Sequence, residues 1–235
     1  MGSEDLFKKR RKPKKNKELA RRSGNKTPLA KILIVCEGLK TEPTYFEELI
    51  FYYKLNTASV IDVTGDCGSS PMCVVRKAKE LQADMNQIGA PYDEIFIVID
   101  KDAHTDYSSA LDSIKCAKPS KTWVAVNSVP CFEFWLLLHY TYTTKAYKNL
   151  PKNSSGNQVL KELKRYIKGY EKGAKGIFLK TLNSLNLKDL NEVITKAKQC
   201  EQAATSSGTD NPTTMVYKLV ERLLSLNELK KSNTR

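Results

Sequence analysis

A chain of 235 residues with 40% apolar and 28% charged side chains has material for one sizeable core, with or without an appendage. Of its net charge of +13, +8 falls in residues 1–28, where eleven Lys and Arg face only Glu4, Asp5 and Glu18. No apolar run approaches the roughly 20 residues of a membrane span, and the N-terminus lacks the apolar stretch of a signal peptide. Six cysteines without a CxxC pair, and only two histidines, argue against a structural zinc or a disulfide framework. The expectation is a reduced, cytoplasmic protein with no membrane partner.

Residues 1–28 contain Pro13, Gly24 and Pro28 and almost nothing apolar, which predicts a disordered arm. Its cluster of Lys8, Lys9, Arg10, Arg11, Lys12, Lys14 and Lys15 suits non-specific contact with nucleic-acid phosphates. An acidic protein surface is another partner for such a tail, and solvated tails also occur with none. The globular part, 29–230, opens on KILIVC (31–36), a run with the pattern of a strand buried on both faces. A helix is expected from Thr41, with Thr41 as N-cap and Pro43 in the first turn. A second strand follows at 58–64, then a helix capped by GSSP (68–71) that carries Val74, Val75, Ala78 and Leu81 on one face. IFIVI ends a third strand over 93–100. A helix near 106–116 and a strand over 122–128 complete a strand–helix alternation, which predicts a parallel sheet with right-handed crossovers over about 31–140.

After Pro130 the pattern changes. CFEFWLLLHY reads as a short buried helix and 140–156 as a polar loop. Helices are expected near 157–171, 187–204 and 212–227, so that about 155–227 forms a helical C-terminal part. Asn211 serves as N-cap of the last helix and Pro212 as its first residue.

Both apolar strands break into acid: Glu37 after ILIVC, Asp100 and Asp102 after IFIVI. In open α/β sheets ligands sit outside the carboxyl ends of the strands. On an extended backbone Asp100 and Asp102 leave the same face, roughly 6.5–7 Å apart at Cα. Glu37 joins them if the first and third strands are neighbours. Three carboxylates without an equal number of adjacent cations suit Mg²⁺ (or Mn²⁺), which takes oxygen ligands, keeps waters and meets substrate phosphates. Strand-end carboxylates also serve as turn formers and caps. Lys101 points to the opposite side and is a poor partner for both aspartates.

Other candidates have two readings each. Glu42 either complements the helix dipole or holds a second metal. Glu133 stands in apolar company, where a carboxylate is costly to bury unless paired or metal-bound. His104 either binds phosphate, relays a proton or sits on a surface loop, and His139 has the spacing of a packed core histidine. The phosphate-binding GxxxxGK[ST] and the dinucleotide GxGxxG patterns are absent.

IVCEGLKTEPTYFEEL, VIDKDAH, NSVPCFEFWLLLHY and NPTTMVYKLVERL together resemble the RloB-like family, found beside restriction and abortive-infection genes in bacteria, over about Lys31 to Leu224. The Lys/Arg-rich arm is similar to that family as well. The resemblance implies a Toprim-like fold, with Glu37 as the glutamate after the first strand and Asp100 and Asp102 as the DxD of a later one. It implies that Glu37 is a general acid/base or metal ligand and that the two aspartates hold Mg²⁺. Leu39 stands where relatives often carry a charged residue. The implied function is a Mg²⁺-dependent nuclease cutting DNA or RNA in phage defence, with an AAA-type ATPase as partner. The alternative is a nucleic-acid-binding or ATPase-docking module without chemistry. A phosphatase-like or receiver-like α/β protein is a third reading, which explains neither the arm nor PCFEFWLLLHY.

Overall fold

Two apolar runs form the centre of the sheet. The computed structural model describes residues 30–233 except 58, 66, 67, 69, 103 and 185–188, so the basic cluster from Lys8 to Lys15 lies outside the described residues. Strands β1 (Ala30–Cys36) and β3 (Glu94–Asp100) lie side by side and parallel, with Ile32 to Cys36 and Ile95 to Ile99 all buried. Strand β2 (Ser59–Thr64) pairs with the outer side of β1, and β4 (Trp123–Val129) with β3, both parallel. The two-residue β5 (Thr213–Thr214) runs antiparallel to β4, giving the order β2-β1-β3-β4-β5.

The pleat sends alternate residues of β1 and β3 into two cores. Ile32, Ile34, Cys36, Phe96 and Val98 face the larger one, which includes α1 (Thr41–Tyr52), α4 (Glu133–Leu138), α5 (Ser155–Tyr166), α6 (Ile177–Ser184), α7 (Asn191–Ser206) and α8 (Val216–Asn233). Leu33, Val35, Ile95, Ile97 and Ile99 face α2 (Pro71–Gln87) and α3 (Tyr107–Cys116). The sequence reading of a parallel sheet flanked by helices therefore holds, with the short antiparallel β5 as an addition at its edge. The chain leaves β1 through α1 to β2 on one side, then returns through α2 to β3 on the other. That reversal puts a crevice beyond the carboxyl ends of β1 and β3.

Several local expectations are corrected. Thr41 is not the N-cap: Lys40 occupies that position, and the Thr41 hydroxyl accepts from the Gly173 N–H at 3.0 Å. The 157–171 helix stops at Tyr166, because Ile167 leaves helical geometry, and α6 was not anticipated. Asn211 and Pro212 do not start the last helix. The Asn211 amide instead grips the Tyr147 backbone, accepting from its N–H at 3.1 Å and donating to its carbonyl at 2.7 Å. Thr213 and Thr214 then join the sheet, where Ser128 and Thr214 share a buried hydroxyl hydrogen bond of 2.9 Å. Helix α8 begins only at Val216.

Beside α1 and α4 the rings of Tyr45, Trp135 and His139 meet edge to face. The Tyr45 hydroxyl, Trp135 Nε1 and His139 Nε2 are buried without a hydrogen-bond partner among the described residues. A buried hydroxyl without a partner carries its desolvation cost for no return. Tyr45→Phe is therefore expected to leave the urea midpoint unchanged or to raise it, by up to about 1 kcal/mol of stability. A clear loss would show that the hydroxyl is satisfied in solution. Among the described residues Cys73, Cys116, Cys131 and Cys200 form no disulfide. No helix among the described residues is long and apolar enough to cross a membrane.

Candidate active site

Glu37 is the first residue past β1. Its N–H continues the ladder to β3, donating to the Val98 carbonyl at 3.0 Å, so its side chain is delivered to the β3 end. There Glu37 Oε2 accepts from the Asp100 N–H at 3.1 Å, and Oε1 lies 2.9 Å from His104 Nε2. Asp100 is the last residue of β3.

Asp102 does not continue the strand as expected. It sits in a turn with φ of +25°, uncommon for a residue with a side chain. Two backbone bonds hold it there: the Lys101 N–H donates to the Ser128 carbonyl at 2.9 Å, and its own N–H donates to the Pro130 carbonyl at 3.0 Å. The turn, rather than the pleat, brings the second aspartate to the site. Lys101 points away, as anticipated, and pairs with Asp210 at 2.6 Å.

Glu37, Asp100, Asp102, Glu42, Glu133 and His104 all line one cavity of about 370 Å³. They come from the ends of β1 and β3, the loop after β3, and the first turns of α1 and α4. Glu42 is 8% exposed and Glu133 3% exposed, so neither is a solvated helix-end charge. Glu133 Oε1 has Lys172 Nζ at 3.2 Å and the Tyr170 hydroxyl at 3.4 Å.

Crowding of like charges away from water sets the protonation of the group. Burial pushes the Glu42 carboxyl up to about 7; its own N–H and Lys172 oppose this, and Glu133 and Glu37 add to it. Asp100 is raised well above the ordinary aspartate range by burial first, then by Glu42, Glu133 and Glu37 against the Phe132 N–H. Glu37 is raised by burial, with Asp106 and Asp102 adding, although the Asp100 N–H and His104 pull it down. Cys131, also in the wall, is raised by burial and by Glu133 and Asp100, so its thiol stays protonated.

The donors are hard oxygens, the set that magnesium prefers. Among the described residues, however, no three His, Cys, Asp or Glu side chains are close enough to hold one metal ion together. The carboxylates ring the cavity rather than converging on one point. His139 takes no part: it is 1% exposed in the core, and its Nδ1 bonds the Trp135 carbonyl at 3.0 Å.

The far wall escaped the sequence reading. Ser154, Gly156, Asn157 and Leu160 line the cavity from the start of α5, and Lys172 from the loop that follows it. Ser154 caps α5, accepting from the Asn157 N–H at 3.1 Å, so the helix starts at SSGN, where the polarity of 140–156 predicts a loop. Gly156 faces Asp102; a Cβ there would stand 3.8 Å from both carboxylate oxygens. Lys172 carried no local signal.

A protein-family model described as RloB-like protein matches residues 32–223. No curated protein and no solved structure matches.

Proposed function

We propose that this chain, which belongs to the RloB-like protein family, is a Mg²⁺- or Mn²⁺-dependent nuclease of Toprim type that cuts DNA or RNA in abortive-infection defence, under the control of a partner AAA-type ATPase. One observation carries the reading. Five carboxyl groups share a single cavity at the switch point of the sheet, with Lys172 and His104 as its only basic groups among the described residues. Such an arrangement costs folding free energy unless a cation offsets it.

In this reading Asp100 and Asp102 hold the cation, with Glu37 and the buried Glu42 and Glu133 as the remaining oxygen donors in reach of the cavity. Magnesium accepts few carboxylates and completes its shell with water and substrate phosphate oxygens, which suits donors that ring a cavity. When bound, it would polarise a phosphoryl oxygen and orient the attacking water. Glu37 has the raised proton affinity of a general acid or base, and its bond from His104 orients the carboxylate. The family resemblance supplies the defence context and the ATPase.

A binding module without chemistry is the second reading, favoured by the absence of a three-ligand cluster among the described residues. The two separate in an assay of full-length protein on labelled DNA and tRNA, with Mg²⁺, Mn²⁺ or chelator, with and without the ATPase encoded beside it. Metal-dependent fragments are expected. Intact substrates in every arm would leave the binding module as the better account.

A second expectation concerns Gly38. A Cβ there would collide with Glu42 Oε2 and stand 2.8 Å from its Cδ. The carboxylate is the flexible end of its side chain, so it moves and the backbone stays. Gly38→Ala should lower metal-dependent cleavage at least about tenfold, about 1.4 kcal/mol of barrier, with little change in melting temperature. Unchanged cleavage would remove Glu42 from the site.

A further inference from the structure

Charge on the folded body is distributed unevenly. Residues 140–184 carry ten Lys and Arg against Glu162 and Glu171, whereas the rest of the chain after residue 28 carries eighteen basic and twenty-one acidic residues. All ten cations are exposed. Among the described residues only Lys145, with Glu162, and Lys172, with Glu133, form ion pairs. This segment is also the far wall of the acidic cavity.

The geometry connects the two. Asn157 lines the cavity, and Lys161 and Lys164 follow it at i+4 and i+7, one stripe along α5. At 1.5 Å per residue Lys164 stands about 10 Å beyond Asn157 along the helix, and Lys168 lies just past the end of α5. A second cavity of about 270 Å³ also has Asp102 in its wall. Lys148, Asn149 and the Lys101–Asp210 ion pair line it. The cationic stripe and a second set of polar groups thus both adjoin the carboxylate cavity.

We propose that the α5 stripe of Lys161 and Lys164, with Lys168 beyond it, is a track for the phosphodiester backbone of a nucleic-acid strand. The strand lies with its next linkage over the carboxylate cavity and its continuation toward Lys148. A polyanion answers the unpaired cations of the stripe, and a thread-like one can follow a row of them to the cavity that adjoins it. The carboxylates repel phosphate everywhere except where a cation intervenes, so the stripe supplies the affinity that the cavity does not. This deepens the nuclease reading and rests on it for the meaning of the cavity: the track fixes which linkage is presented.

The test uses the full chain with chelator present, so that nothing is cut, and measures fluorescence anisotropy of labelled 15-nucleotide DNA and RNA strands across a salt series. K161Q/K164Q/K168Q is compared with K115Q/K118Q/K121Q, an equal loss of charge at exposed sites at the end of α3 and in the loop after it. Every substituted residue is exposed, and melting curves verify folding. The α5 triple should raise Kd at least tenfold near 100 mM salt. It should also flatten the slope of log affinity against log salt by about 2, the share of three phosphate contacts on a single strand. The control triple should change Kd less than threefold. Equal effects from both triples, or none from either, overturn the track. Agreement between the DNA and RNA arms assigns recognition to the phosphates alone, and loss in only one arm restricts the track to that nucleic acid. Cleavage by wild type in Mg²⁺ is scored separately. A track confirmed without cleavage sinks the nuclease reading alone, and cleavage with an unaffected α5 triple sinks the track alone.

Discussion

Asp100→Asn is expected to abolish metal-dependent cleavage, by about 10³-fold or more (about 4 kcal/mol of barrier), while making the metal-free protein more stable. The two effects have one cause. The Asp100 carboxyl is raised by burial and by Glu42, Glu133 and Glu37, so its ionised form is disfavoured in the folded chain. A group whose folded pKa is raised contributes stability below its unfolded pKa, and that contribution is lost as pH rises through the folded value. As the pH rises wild type therefore loses this stability, and the isosteric amide does not. For a chain of this size each kcal/mol recovered appears as about 2–4 °C in melting temperature. The gain should shrink as the pH falls, because protonation of the wild-type carboxyl relieves the same cost. Mg²⁺ should stabilise wild type more than the variant, because the ion replaces what the amide has already relieved. A variant that melts lower than wild type at pH 8 would make Asp100 a structural residue and remove the premise of a cation-seeking cavity. Asp102→Asn should match the loss of cleavage. Its folding response is separate, because its turn is held by backbone bonds to Ser128 and Pro130 through Lys101 and itself.

Part of this site was legible because chemistry was written into local context. Runs such as ILIVC and IFIVI have no polar face, so they belong inside a sheet, and a carboxylate at the end of each has to emerge at its rim. Glu133 stood out because its neighbours are Phe, Trp and Leu. What stayed hidden depends on contacts distant in sequence. Thr213 and Thr214 form a strand only because β4 lies beside them, and the preceding Asn-Pro imitates a helix start. Period two along a strand would set Asp100 and Asp102 on one face; the chain instead turns at Asp102, where the Lys101 and Asp102 N–H groups donate to the Ser128 and Pro130 carbonyls, and the two aspartates share a cavity wall without converging on one point. Lys172 follows Glu171 in a lysine-rich loop and differs from its neighbours only in where Gly173, bonded to Thr41, holds that loop.

The second large effect lies away from the cavity, at His139. Its Nδ1–H donates to the Trp135 carbonyl at 3.0 Å, which fixes the tautomer and leaves Nε2 bare and buried. Burial pulls its pKa down from 6.5 to about 4; Lys196 adds to this, and the Trp135 and Leu136 backbone bonds oppose it. The folded state thus refuses a proton that the unfolded chain accepts between those values. Stability from the neutral ring is fully present above pH 6.5 and is lost as pH falls toward 4, about 3 kcal/mol in all. The raised carboxyls act in the opposite sense: Glu42, with its folded value near 7, gains stability on acidification. Wild type alone would therefore show a muted pH profile, and a difference is needed. His139→Phe keeps a ring in the core and removes the titration, at the cost of the bond to Trp135. Urea unfolding at pH 7.5, 6 and 4.5 should show the stability gap, wild type minus variant, narrowing by about 2–3 kcal/mol on acidification. His139 does not line the cavity, so the carboxyl contribution is common to both proteins and cancels. A gap that stays constant over that range would mean that His139 titrates as it does in the unfolded chain. The ring would then have access to water, and the apolar packing of Tyr45, Trp135 and His139 would not persist in solution.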